Sequence, residues 1–321
     1  MADYLLGDMP IASAVPLPLL LVPTASTSAH VLTVTRNQRN LRPPAIGAWH
    51  HQWRDDTGRP VIGLALTPSG YLLRFPHQCD FTISADARRI DARPHRRLAP
   101  ATLEHLLADQ VVPRCLAHRG ELLVHAAGIA FGRDIALFVG ESGRGKSTLA
   151  GLFLRAGRTV LTDDCLMLRP TAEAVRAVPS YPSLRLSPDS VAALFPGDSA
   201  SETAQSHSEK QRFPVPDASR QTVAGRVAAL YFIGEANAAA ADVTVEPLAA
   251  ASSCIRLMEQ SFQLDVMDRD AVKRLLARAG EVVMRVPSFT LDFPRDFRRV
   301  ADLRGSIEGQ FTSVAGVSSV A

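Results

Sequence analysis

The sequence predicts an α/β protein, with a smaller β-rich region over residues 1–98, a larger domain over 99–308 built round a glycine loop, and a polar, disordered tail over 309–321. Three observations lead there. Up to residue 98 the apolar residues alternate in short runs parted by turn residues, whereas from Ala101 they recur at helical spacing. An apolar run, Ile135–Val139, leads into the glycine-rich stretch Gly140–Ser147, and a second apolar run leads out. Two acids, Asp163 and Asp164, then close the next apolar strand.

In the first region His30–Arg36 alternates as a strand, Val61–Thr67 and Tyr71–Phe75 flank the hairpin signal Pro68-Ser69-Gly70, and Asp80–Ser84 adds another strand. Ile11–Val22 is apolar but interrupted by Pro16 and Pro18 and preceded by Asp3 and Asp8, so it reads as an extended segment rather than a signal or membrane span. The basic stretch Ala92–Arg97 reads as a solvated linker. Thr102 is placed to cap a helix carrying Leu103, Leu106, Leu107, Val111 and Val112. Strands are then expected over Leu122–Ala130, Ile135–Val139, Thr159–Leu161, Leu166–Arg169, Val227–Ile233, Val243–Pro247 and Val282–Val286. Helices are expected near 145–156, 191–195, 248–260, 271–279 and 296–303, with a polar loop over Gly197–Pro214.

Composition narrows the class. Hydrophobic residues form 46% and charged residues 21%, as in soluble globular proteins, and a net charge of +3 implies no general affinity for nucleic acid or an anionic membrane. Cys79, Cys115, Cys165 and Cys254 are scattered, with no CxxC pair, which disfavours a zinc site or disulfide framework and fits a cytoplasmic setting. The only lysines are Lys146, Lys210 and Lys273.

Gly140-Glu141-Ser142-Gly143-Arg144-Gly145-Lys146-Ser147 matches the phosphate-loop (Walker A) pattern G-x(4)-G-K-[ST], and Thr148 follows in the first helical turn. The glycines let successive backbone N–H groups curl round phosphate oxygens at the positive end of a helix. In such a loop the lysine, here Lys146, serves the β- and γ-phosphates and faces solvent before they arrive, and the serine, here Ser147, coordinates Mg²⁺. Chance yields the pattern in roughly one chain of this length in a hundred, and chance does not also supply the flanking strand and helix. ATP and Mg²⁺ are therefore the expected cofactors. A carboxylate pair ending the neighbouring strand, Asp163-Asp164, can hold the metal or take a proton from an attacking hydroxyl, and strand alternation sends the two side chains apart. His125 stands alone on an apolar strand, where a hydrogen-bonded core histidine is the commoner outcome.

In order and spacing, His125, the loop Gly140–Ser147 and Asp163-Asp164 resemble the catalytic domain of the HPr kinase/phosphorylase family over about His125–Arg169. The flavour is closer to the HPr-kinase-like proteins of ribosomal and lasso-peptide biosynthesis, through Leu122–Ala127, Asp163–Leu168, Pro179–Asp189 and Tyr231-Phe232-Ile233. The resemblance implies a nucleotide domain like that of phosphoenolpyruvate carboxykinase. It implies Asp164 as proton acceptor, His125 and Lys146 as active-site residues, and Ser147 as a metal ligand; Asp163 would help hold the metal. Thr148 stands where that family commonly has glutamate, no Glu-Ile-Arg-Gly-type motif follows, and the phosphorylase-associated segment is not recognisable. The expected reaction is transfer of the ATP γ-phosphoryl group to a serine or threonine of a peptide or protein, with no nucleic-acid or membrane partner and with self-association left open. A small-molecule kinase and a non-catalytic, nucleotide-gated peptide-binding protein are the rival readings. Arg185, Lys210 and Arg212 stand equally between phosphate contacts and surface charges.

Overall fold

A computed structural model describes residues 1–22, 30–37, 46–180, 184–197, 211–213, 215, 224–235 and 242–318. The chain forms two compact units, Met1–Gly120 with Gln263–Lys273, and Glu121–Phe262 with Arg274–Ala321.

The first unit contains β1 (Ala2–Leu6), β2 (Met9–Ser13), β3 (Leu20–Val22), β4 (Leu32–Arg36), β5 (His51–Arg54), β6 (Pro60–Thr67), β7 (Gly70–Phe75), β8 (Cys79–Ser84) and β9 (Arg89–Pro94). They make one mixed sheet in the order β3-β1-β2-β4-β9-β8-β7-β6-β5, in which β2–β4 and β4–β9 are the parallel pairs. Two helices follow, α1 (Pro100–Leu106) and α2 (Val112–His118), joined by a π-helical turn at Leu107–Val111.

The second unit contains β10 (Leu122–Val124), β11 (Ala126–Phe131), β12 (Asp134–Val139), α3 (Lys146–Arg155), β13 (Thr159–Thr162), β14 (Leu166–Pro170), β15 (Val175–Pro179), β16 (Arg185–Leu186) and α4 (Pro188–Leu194). After these come β17 (Gln211–Arg212), β18 (Gly225–Ile233), β19 (Thr244–Pro247), α5 (Ala250–Glu259), α6 (Arg269–Val283, of which the part from Arg274 onward belongs to this unit), β20 (Ser288–Asp292) and α7 (Val300–Ser318). The main sheet runs β10-β14-β15-β18-β12-β11-β13, with β20 pairing to β18 and β19. Both faces are covered. In β12, Ala136 and Phe138 join the core formed with α3, α4 and α7, whereas Ile135, Leu137 and Val139 join the core formed with α5 and α6. Slipping β12 by one residue would exchange these two sets, so the side-chain pattern fixes its register.

Several expectations are corrected. The first unit continues past residue 98 to Gly120, taking in both helices. Its first helix starts at Pro100, with Ala99 as the cap residue and Thr102 buried inside. Ala92–Arg97 is in part β9, whose Ile90 and Ala92 fill the core while charged neighbours face out. The expected strand at Val282–Val286 begins as the end of α6, and the strand is Ser288–Asp292.

The expected tail is helical through Ser318, because Ile307 and Phe311 fall one turn apart and bury. Phe311 stacks on Phe131 with ring centroids 4.4 Å apart, and the Tyr231 hydroxyl donates to Gln310. This docking supplies what low intrinsic propensity lacks in a helix with Gly305, Gly309 and Gly316. The loop expected over Gly197–Pro214 lies mostly outside the described residues.

Phe311 therefore behaves as core. Phe311→Ala should cost about 3–5 kcal/mol of unfolding free energy, measured by urea denaturation followed by circular dichroism. A cost below about 0.5 kcal/mol, the range of surface changes, would show that the helix does not dock as described.

Candidate active site

Four segments meet at one edge of the second sheet, and strand direction explains why. β11 pairs antiparallel to β12 and β13 antiparallel to β11, so β12 and β13 end at the same edge. The acid pair was expected on the strand next to the loop strand; β11 lies between them instead, and this double reversal restores the direction. His125 was expected inside one continuous strand. It lies at a break, where β10 pairs with β14 and β11 with β12 and β13. Its backbone N–H donates to Gln260 O at 2.8 Å, outside both ladders. Since Ala126 pairs with Val139, His125 arrives beside the end of β12.

The glycine loop turns out of β12 into α3. Gly145 takes φ +100° at the helix start, and a β-carbon there would stand 3.3 Å from Arg295 Nη1 and 3.5 Å from the Phe293 ring. Backbone conformation and space both call for glycine. Lys146, expected to face solvent, is only 4% exposed: its ammonium folds back onto Gly140 O and, at 2.9 Å, onto Glu141 O. The loop carbonyls satisfy the cation. Glu141, Ser142 and Gly143 are exposed. Arg144 bonds Glu141 at 2.7 Å and Glu235 at 3.2 Å. The Thr148 hydroxyl lies 3.0 Å from that of Ser190, which is 2.9 Å from Ser187, the cap residue of α4.

Beyond β13 the chain bends, and the two acids meet different partners. Asp163, 1% exposed, accepts from Ser147 and, at 2.9 Å, from the Arg185 backbone N–H. Asp164 Oδ2 accepts from Arg185 Nη2 at 2.6 Å and Nε at 3.0 Å, while Oδ1 lies 3.7 Å from His125 Nε2. Arg185 thus belongs to the site, holding one acid with its backbone and the other with its side chain. Arg212 pairs with it through the backbone of β17; its side chain and Lys210 lie outside the described residues.

The two carboxyls titrate apart. Burial, and then the charge of Asp164, push Asp163 up to about 7. Burial would raise Asp164 as well, but the Arg185 guanidinium and the His125 ring hold it well below the usual carboxylate range.

Sequence reasoning missed Phe293 and Arg295. β20 runs parallel to β18, and β18 parallel to β12, so the segment leaving β20 also arrives at the loop edge. With the strand assigned to Val282–Val286, nothing directed attention to residues 293–295. Gly234, at the end of β18, lies against Asp292: a β-carbon there would fall 1.7 Å from its Oδ1. A cavity of about 170 Å³ opens at the ends of β12 and β18, lined by Gly140, Glu141, Arg144, Gly234, Glu235 and Arg256 among others.

The residues fit a small, hard cation. A serine hydroxyl and a buried carboxylate, already in contact, supply oxygen donors at the start of α3. Among the described residues no group of three or more His, Cys, Asp or Glu side chains is arranged to hold a metal. A cation at Ser147 and Asp163 would therefore take its remaining ligands from phosphate and water.

No family model matches the chain, and no curated protein matches it. Among solved structures it is similar to the Hpr(Ser) kinase/phosphatase from Coxiella burnetii, with 11% sequence identity and a TM-score of 0.34, over 60% of this chain and 97% of that one. At this TM-score the superposition establishes no shared fold, and the function proposed below stands on the site's own residues. Among the described residues no helix is long and apolar enough to cross a membrane.

The acid pair gives stability a defined pH dependence. In the unfolded chain Asp163 ionises near its ordinary value; in the folded chain it keeps its proton to about 7. Between those values the unfolded state binds fewer protons, so this group lowers stability as pH rises. Asp164 acts oppositely, stabilising above its ordinary pKa and losing that contribution as pH falls through its depressed value. Asp163→Asn, neutral at every pH, should therefore gain stability relative to wild type between pH 5 and pH 8. Urea titrations in chelator-treated buffer measure this; a flat difference would mean that Asp163 ionises normally.

Proposed function

We propose that this chain is an ATP-dependent kinase that transfers the γ-phosphoryl group to a serine or threonine hydroxyl of a peptide or protein. The observation that carries the reading is the meeting, at one sheet edge, of the Gly140–Ser147 loop with two carboxylates of opposite electrostatic character.

The loop N–H groups and the start of α3 hold the polyphosphate, and Lys146 exchanges the carbonyls of Gly140 and Glu141 for phosphate oxygens. Ser147 and Asp163 would hold Mg²⁺, which when bound would neutralise phosphate charge. The acceptor oxygen forms a bond to the γ-phosphorus as the bond to the bridging oxygen breaks. ADP leaves, and the hydroxyl proton passes to Asp164.

Arg185 and His125 keep Asp164 ionised, the form a proton acceptor needs. The same pairing limits its basicity, so positioning supplies more of the rate than proton affinity does. The resemblance in residue order to the HPr-kinase family supports a peptide or protein acceptor over a small molecule.

A second reading, a nucleotide-gated binding protein without transfer, is favoured by the tight Arg185–Asp164 pair, which occupies the base.

The two acids should fail differently. Asp164→Asn should still bind Mg-ATP while transfer falls by roughly 10²–10⁴, the scale of a lost general base. Asp163→Asn should lose transfer in a manner partly restored by raising Mg²⁺. Single-turnover phosphotransfer to a serine-bearing peptide, across a Mg²⁺ titration, separates them. Metal rescue of Asp164→Asn alone would reverse the roles, and ATP binding with no phosphopeptide formed by wild type would favour the binding protein.

A further inference from the structure

Arg295 leaves β20 at the edge where the glycine loop lies. Its guanidinium carbon is 3.8 Å from the Phe293 ring centroid, a close cation–π contact. Nη2 donates to Gly234 O at 3.2 Å, and Nη1 stands 3.3 Å from where a β-carbon on Gly145 would be. The fork is therefore held at the first residue before Lys146, and among the described residues it makes one hydrogen bond.

Its charge is treated unlike that of its neighbours. Arg144 is paired with Glu141 and Glu235, and Arg185 with Asp164. Among the described residues Arg295 forms no ion pair; a carbonyl and an aromatic face are its partners. Partial burial depresses its pKa; Asp292 opposes this and the charge of Arg144 adds to it. The positive end of α3 lies beside it as well. Its position among like charges is one that an anion at the loop would relieve.

We propose that Arg295 is a second cationic contact to the polyphosphate of the bound nucleotide, acting beside Lys146 from the β20 side of the glycine loop. The inference rests on the nucleotide reading above. It assigns Phe293 the role of a platform that orients the guanidinium, and it explains why Gly145 must lack a side chain on the face that Arg295 covers.

Calorimetry on the full chain, with Mg-ATP and separately with Mg-tripolyphosphate, tests it in wild type, Arg295→Gln, Arg295→Lys and Lys146→Ala, thermal melting serving as the check on folding. Arg295→Gln should weaken both ligands by about tenfold, the scale of one charge-assisted hydrogen bond. Arg295→Lys, which keeps the charge but not the fork, should fall between Arg295→Gln and wild type. If Arg295→Gln does not fold, Arg295→Lys carries the test, with both ligands weakened at least about threefold by the same scale. Unchanged affinity in the Arg295 variants, with loss in Lys146→Ala, would overturn this inference alone. Weakened ATP with unchanged tripolyphosphate would also overturn it, by moving the contact to the nucleoside. Unchanged affinity in Lys146→Ala would remove the nucleotide reading itself, and this inference with it.

Discussion

Strand direction is the constraint on which the candidate site depends. A side chain at the carboxyl end of a strand reaches a common edge only if its strand runs the right way. Here β12, β13, β18 and β20 all do, although β13 is separated from β12 by an antiparallel strand. Removing β11 and pairing β13 directly to β12 in the usual antiparallel manner would carry Asp163 and Asp164 to the opposite edge from Lys146. The inserted strand also brings His125 to the edge at its own beginning, because an antiparallel strand starts where its neighbour ends. One hairpin thus positions the loop, the histidine and, through a second reversal, the acids. Two-sided burial keeps this hairpin in register.

Charge at that edge is costly, and the structure distributes the cost unevenly. Asp163 gives up ionisation near neutrality because burial and the charge of Asp164 outweigh what the Arg185 charge, its backbone N–H and the Ser147 hydroxyl contribute in the other direction. Asp164 keeps its charge because Arg185 comes within 2.6 Å. Two adjacent buried carboxylates with equal partners would compete for ionisation; unequal partners separate them into one poised to exchange a proton and one held ionised. Such groups detract from stability unless all their partners are present, and the apolar layers on both sides of the sheet supply the offset.

The glycine loop was legible because its requirements are local: left-handed backbone at Gly143 and Gly145, a strand before it and a helix after. The acid pair was legible as a pair, but its strand's true neighbour was not, since pairing order is a long-range property. Leu122–Ala130 reads as one strand because hydrophobic periodicity does not report the change of partner at His125. Val282–Val286 reads as a strand from its valines; in fact Ala279, Val282 and Val283 continue a helical face, and this displaced β20 from view and hid Arg295. The last helix was hidden by its glycines and serines, since its stability comes from where Phe311 docks rather than from intrinsic preference.

Arg185 links the two acids in a way that bears on the order of events. Its backbone N–H bonds Asp163 and its guanidinium bonds Asp164, so a single residue acts on the electrostatic state of both. The two bonds differ in how readily they are surrendered. The backbone bond is fixed by the β16–β17 pairing, whereas the guanidinium can rotate towards a stronger anion. A polyphosphate on the neighbouring loop is such an anion, and on the proposed reading it competes with Asp164 for the same fork. Each degree of transfer of Arg185 from carboxylate to phosphate removes the cation that depresses Asp164 and leaves it a stronger proton acceptor. The pair that keeps Asp164 ionised therefore also sets how strongly it accepts a proton.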